Sequence, residues 1–335
     1  MASIERADHA GHCQPLRRID MVHQRNLGST GIAIAPLVFG GNVFGWTADT
    51  ARSFELLDRF VEKGLNFIDS ADVYSAWAPG NKGGESEEVI GQWLKSRGCR
   101  ERVVISTKVG MWEARKGLSA RNIEQAVDES LRRLNTDYID VYFAHIDDEN
   151  TSLEESLTAF DRLVSSGKVR ALGASNYGAV RLAQALQVAG EKQVSPYQVI
   201  QPLYNLYDRK EYEQTLEPLA ERNNLGVIVY FALASGFLSG KYKSIDQIRN
   251  TPRERMLGKY FNPRGMSILD ALQTVAKETG ASPAQISLAW LLHKQSVTAP
   301  IVSATSTVQL DELICSFDIK LTESSMKLLD QASDS

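Results

Sequence analysis

Cysteine, runs of positive charge and long apolar stretches are all scarce in this chain of 335 residues, and each scarcity removes a class of protein. Cys13, Cys99 and Cys315 lie far apart, with neither the paired spacing of a zinc site nor the even count of a disulfide framework. Reduced thiols in a cytoplasmic protein are therefore the expectation. No stretch approaches the roughly 18 apolar residues of a membrane span. The opening segment, MASIERADHAGHCQPLRRID, carries charges throughout and lacks the apolar middle of a secretion signal. A net charge of −4, with no extended Lys/Arg run, leaves no electrostatic footprint for nucleic acid. Also missing is a strand followed by G-x-G-x-x-G, the phosphate turn of the open doubly wound fold; GGNVFG at 40–45 lacks the spacing.

What is present is ordinary in composition and regular in rhythm. Apolar residues make up 43% and charged residues 23%, enough for a sizeable core. Residues 1–22 read as a poorly ordered extension, ahead of a single domain over 23–335. In that domain, short apolar runs alternate with helical periods. The strand candidates are PLVFGG (36–41), NFIDSA (66–71), VVISTKV (103–109), YIDVYFAH (138–145), VRALGAS (169–175), YQVIQPLY (197–204), GVIVYFAL (226–233) and APIVSAT (299–305). Between them, Ile123, Val127, Ser130, Leu131 and Leu134 form one stripe at helical spacing. TSLEESL offers Thr151 or Ser152 as N-cap with Glu154 or Glu155 in a capping box. Strands rich in Val and Ile, each followed by a helix, predict a parallel sheet covered by helices. Eight such units predict closure into a (β/α)8 TIM barrel, with an open doubly wound sheet as the alternative.

The two longest connections, 75–86 and 239–265, follow strands, and in such a barrel the loops after strands form the active face. Ionisable residues collect at the same ends: Asp69 after NFI, Lys108 in ISTKVG, His145 closing DVYFAH. Singly, each fits a loop cap or a satisfied core residue; on adjacent strands they point to one reaction centre. Tyr74, five residues after Asp69, is either an amphipathic lid or an acid. A neighbouring ammonium would lower its pKa, and Asp69 would hold that ammonium in place.

GLNFIDSADVY, ISTKVG, YIDVYFAHIDD, VRALGASN, VIQPLYN and GVIVYFALASGFLSGKY resemble, in this order, successive motifs of the aldo-keto reductases, over roughly residues 24–330. The resemblance implies reduction of an aldehyde or ketone with hydride from NADPH, NADH being possible, and no metal. It implies Tyr74 as general acid, Lys108 paired with Asp69 to tune it, and His145 orienting the substrate carbonyl. Ser175, Asn176 and Gln201 match side chains that hold the nicotinamide carboxamide, Asp69 counting among the cofactor contacts as well, and Tyr230 matches the residue that stacks on the ring. The pyrophosphate loop would use Phe231, Ala232, Leu233, Gly236 and Lys241, Phe231 standing where Ser is usual. Ser303, Thr305, Gln309 and Glu312 occupy the place of the adenosine 2′-phosphate and adenine, without the Lys or Arg that several members carry and with Leu313 in place of a common Asn. Arg253, Arg255 or Arg264 would then supply positive charge. The mouth of the substrate pocket is expected at Trp46, Trp77, Trp112 and His145, with Phe143 and Tyr204. The alternative readings are a cofactor-sensing regulatory subunit with little turnover, and an aldolase-type barrel using Lys108 as a Schiff-base lysine.

Overall fold

The computed structural model describes residues 23–250 and 254–334; the extension expected over 1–22 lies outside them, as does Cys13. All eight expected strands form: Val38–Gly40 (β3), Phe67–Asp69 (β4), Val104–Val109 (β5), Ile139–Ala144 (β6), Val169–Ser175 (β7), Tyr197–Gln201 (β8), Gly226–Val229 (β9) and Ala299–Val302 (β10). They are hydrogen-bonded in parallel in the order β10-β3-β4-β5-β6-β7-β8-β9 and close into a barrel, β10 pairing with both β3 and β9. The open-sheet alternative is thereby excluded. Several strands stop earlier than the apolar runs suggest, for local reasons. Pro202 has no N–H to continue the ladder after Gln201, and Phe231 turns into the left-handed region at φ +53°, just after Tyr230 leaves β9.

Alternation decides what the barrel encloses, because successive side chains of a strand face opposite ways. Val38, Phe67, Val104, Val141, Phe143, Ala171, Val199, Ile228 and Ala299 form one buried cluster inside the ring. Their neighbours Phe39, Ile68, Ile105, Tyr142, Leu172 and Ile200 belong to the larger cluster under the helices. Leu27, Ile32 and Ile34 join the inner cluster from a feature the sequence rhythm did not predict, a hairpin of Arg25–Asn26 (β1) with Ala33–Ile34 (β2). Arg25 donates to the carbonyls of Val297 and Thr298, ahead of β10, and Leu27 packs on Gly226 at the start of β9. The hairpin thus plugs the end of the barrel where strands begin.

The helices outside are Thr50–Glu62 (α1), Glu85–Arg97 (α2), Ala120–Leu134 (α3), Leu153–Ser165 (α4), Ala179–Lys192 (α5), Glu217–Arg222 (α6), Glu254–Leu257 (α7), Pro263–Thr279 (α8), Pro283–His293 (α9), Thr307–Ile314 (α10) and Glu323–Ser333 (α11). The expected stripe of α3 is the face it buries, Leu131 at the margin. Ser152 caps α4 through the Glu155 N–H, but the reciprocal arm of the box is not made. Glu155 instead accepts from the Ala120 N–H and so also serves the start of α3. Where α2 crosses the end of α3, Gly91 allows close approach: a Cβ there would sit 2.0 Å from the Arg133 carbonyl oxygen. Cys99 is a buried free thiol, as expected at that position. No helix among the described residues is long and apolar enough to cross a membrane.

Candidate active site

The residues at the strand ends share the parity of the barrel interior: Asp69 lies two positions beyond Phe67, Ser106 two and Lys108 four beyond Val104, His145 two beyond Phe143, Gln201 two beyond Val199 and Tyr230 two beyond Ile228. The same alternation that fills the core turns these side chains to a common centre at its top. Lys108 and Asp69 are both buried, their Nζ and Oδ2 atoms 2.6 Å apart. Lys108 also donates to the Ser70 carbonyl at 2.6 Å and to the Tyr74 hydroxyl at 3.0 Å. The Tyr74 hydroxyl in turn donates to Asp69 Oδ2 at 3.4 Å. Ser106 and the amide of Gln201 donate to the other carboxylate oxygen, at 2.7 and 3.1 Å. A buried ion pair is costly unless its remaining polar atoms are satisfied, and here both carboxylate oxygens are. Ser106 was not foreseen; its place two residues before Lys108 was the available signal.

Tyr74 is set in position from both sides. Ser75 adopts φ +71°, unusual for a residue with a side chain, and donates from its hydroxyl to the Phe44 carbonyl at 2.6 Å. The Tyr74 ring meets Trp77 and His145 edge to face, each with centroids 6.0 Å apart. Burial and then Asp69 push the phenol well above its usual value, and this corrects the expectation of a lowered one. Taking the phenolate out of water disfavours the charged form. Burial pushes Lys108 down, opposed by Asp69. His145 is pushed well below the imidazole range by burial and then by Lys108, so it is neutral. Its Nδ1 is buried without a partner.

The residues expected to hold a cofactor form a connected arc beside this centre. Ser175 donates to the Gln201 carbonyl at 3.0 Å, Asn176 to the His145 carbonyl at 2.8 Å, and Tyr230 to the Asn176 side-chain oxygen at 2.8 Å. Beyond Tyr230, Phe231, Ala234, Ser235 and Gly236 all take positive φ. Such a run of strained residues makes a concave backbone turn of the kind that receives anions, and Gly236 faces open space. These features fit a nicotinamide dinucleotide. A cavity of about 540 Å³ opens at Asn176, Gln201 and Tyr230 and continues past Tyr207 and Arg264. None of the four central residues lines it, and the segment after β8 that borders it was not foreseen. Ser303 donates to Gly40 and Asn42, Gln309 accepts from the Thr305 N–H, and Glu312 accepts from Ser282. Arg264 is committed to the carbonyls of Tyr207 and Ser333, and Arg253 lies outside the described residues.

The aromatic rim divides. Trp46 and Trp77 are each 49% exposed and meet edge to face at 5.7 Å, extending from Tyr74. Trp112 lies against Gly83 and under Arg115. Phe143, expected at the mouth, is fully buried inside the barrel, and Tyr204 is buried against Tyr212 and Trp290.

The family model described as aldo/keto reductase family matches residues 36–334. This chain belongs to the aldo/keto reductase family. It is 33% identical to a probable voltage-gated potassium channel subunit beta of Oryza sativa subsp. japonica over 88% of this chain and 91% of that protein. It is 32% identical to an uncharacterized oxidoreductase, YrpG, of Bacillus subtilis over 90% and 93%. With a putative aryl-alcohol dehydrogenase of Saccharomyces cerevisiae, AAD16, identity is 31% over 93% and 97%. Family membership and the names of two of these relatives support an oxidoreductase using a nicotinamide cofactor.

Proposed function

We propose that this protein reduces an aldehyde or ketone to the alcohol, with NADPH as hydride donor and Tyr74 as the acid. The observation that supports it most directly is the shared contact of Lys108 with Asp69 and the Tyr74 hydroxyl. The cofactor supplies hydride to the carbonyl carbon. Negative charge then grows on the substrate oxygen, and the chain's own groups meet it. Tyr74, a neutral phenol, gives its proton to that oxygen. The phenolate left behind is met by the Lys108 ammonium, 3.0 Å away, which Asp69 keeps charged. His145, neutral, donates from Nε2 to the same oxygen, and its fixed ring adds stabilisation only as charge develops. Ser175, Asn176, Gln201 and Tyr230 would hold the nicotinamide end, and the Phe231–Gly236 turn, with Lys241, the pyrophosphate. Trp46 and Trp77 would meet the body of the substrate.

The test is consumption of NADPH and NADH, side by side, against a panel of aliphatic and aromatic carbonyl compounds. Turnover with NADPH ahead of NADH supports the reading. Because the Ser303–Glu312 stretch contains no Lys or Arg, the ratio of kcat/KM for the two cofactors is the informative number. The second reading, a cofactor-sensing subunit, draws on the relatives named as channel subunits. Tight cofactor binding with no turnover on any carbonyl compound would favour it.

A further inference from the structure

Asp72 lies two residues before Tyr74 and has no part in the reaction steps proposed for Tyr74, Lys108, Asp69 and His145. It is fully buried, and neither carboxyl oxygen has a hydrogen-bond partner. Its backbone N–H donates to the Lys108 carbonyl at 3.2 Å, so the residue is tied to the strand that carries the ammonium. The side chain sits among Glu87 of α2, Arg133 of α3, Arg115 from the turn after β5, and Lys108 and Tyr142 of the barrel wall. The Val73 N–H pulls it toward ionisation but does not reach hydrogen-bond geometry.

The net charge around it is already balanced without it, although Nε and Nη2 of Arg115 are buried without hydrogen-bond partners. Glu87 accepts from Thr107 at 2.5 Å and from Arg133 at 2.6 Å. Glu129 pairs with Arg115 at 2.8 Å and with Arg133 at 3.5 Å. Lys108 is committed to Asp69. Two acids therefore cancel two guanidinium groups, and an ionised Asp72 would be a surplus buried charge.

We propose that Asp72 is a positioning residue that carries a proton, seating the Asp69–Ser75 segment neutrally against the Glu87–Arg133–Glu129–Arg115 cluster, and that losing this proton slows carbonyl reduction by setting negative charge behind the Tyr74–Lys108 pair. The link to the reaction rests on Tyr74 being the acid. Phenolate formation at Tyr74 is opposed by any added negative charge nearby. Burial first and Glu87 second raise Asp72 to about 7, so the switch falls at neutrality, while Tyr74 and His145 are displaced upward and downward out of that range.

The experiment is kcat and KM for reduction across pH 5.5–8.5 (about three units centred on neutrality) in the unaltered chain, in Asp72→Asn and in Asp72→Ser, with infrared difference spectra of the same samples. The unaltered chain should lose kcat as pH rises through neutrality, by up to roughly tenfold, the size of a one-unit coupling, with KM steady. Both variants should hold a flat profile. A protonated-carboxyl band should disappear over the same pH range and be missing from the variants. Variants that reproduce the original profile, or a chain without that band at acid pH, would overturn the inference. Failure to reduce any carbonyl compound refutes both the reductase function and the kinetic role of Asp72, while the band still reports whether Asp72 carries its proton.

Discussion

A phenol and an ammonium 3.0 Å apart, with a carboxylate behind them, have separable roles that substitution reads out. Tyr74→Phe should lower kcat by about 10² to 10⁴, the usual worth of general acid catalysis. Cofactor affinity, followed by protein fluorescence, should hardly change, because in the proposed reaction the hydroxyl acts on charge that exists only in the transition state. Equal turnover in the variant would remove Tyr74 from the reaction. Lys108→Met should cut activity, shift its pH profile, and cost on the order of 3 kcal/mol in urea unfolding by leaving Asp69 buried and unpaired. His145 makes an acid-side prediction. Its folded pKa lies below the unfolded value of about 6.5, so the unfolded chain takes up the proton first. Its contribution to stability is thus complete above about 6.5 and is lost as pH falls toward the depressed value. Thermal unfolding from pH 7 down to 5 (about one unit either side of 6) should fall less steeply in His145→Gln. At this scale, strand-end position made Asp69, Lys108 and His145 legible in the sequence, whereas the direction of the Tyr74 shift was not. That direction depends on how much water the folded site excludes, and no spacing of residues reports it.

Elements were legible in proportion to their length and period. The long stripe of α3 and the Val/Ile runs of the barrel left clear patterns, but β1 and β2, with two residues each, left none. Phe143 shows why strand facing needs more than an apolar count: it shares alternation with Val141 and so belongs inside the barrel, directly below the level of His145. Gly173 of β7 faces it, and a Cβ there would lie 2.3 Å from the Phe143 ring. Gly173→Ala should therefore cost about 1–3 kcal/mol by overpacking and lower activity together with stability, as seen by denaturant unfolding beside turnover. The cap of α4 offers a contrast remote from the chemistry. Ser152→Ala should cost about 1 kcal/mol and leave kcat unchanged.

For the whole molecule, closure of the ring is what brings side chains from β4, β5, β6 and β8 within reach of one another, although as many as 132 residues separate Asp69 from Gln201 in the chain. The rhythm of eight units predicted that closure. The hairpin at the opposite end, whose Leu27 is fully buried, seals the ring from below. Leu27→Ala should destabilise by about 2–5 kcal/mol with KM unaltered in the surviving folded fraction.

Core and chemistry share one parity. Deleting a single residue between Val104 and Lys108 would swing the ammonium outward to the helices in the same step that drives Ile105 into the lumen, so such a lesion would collapse the scaffold along with the reaction. Silent descendants of this enzyme are therefore expected to arise by exchange of a tip residue with the frame of every strand intact, and a folded but inactive relative should be recognised by what stands at positions 69, 74, 108 and 145.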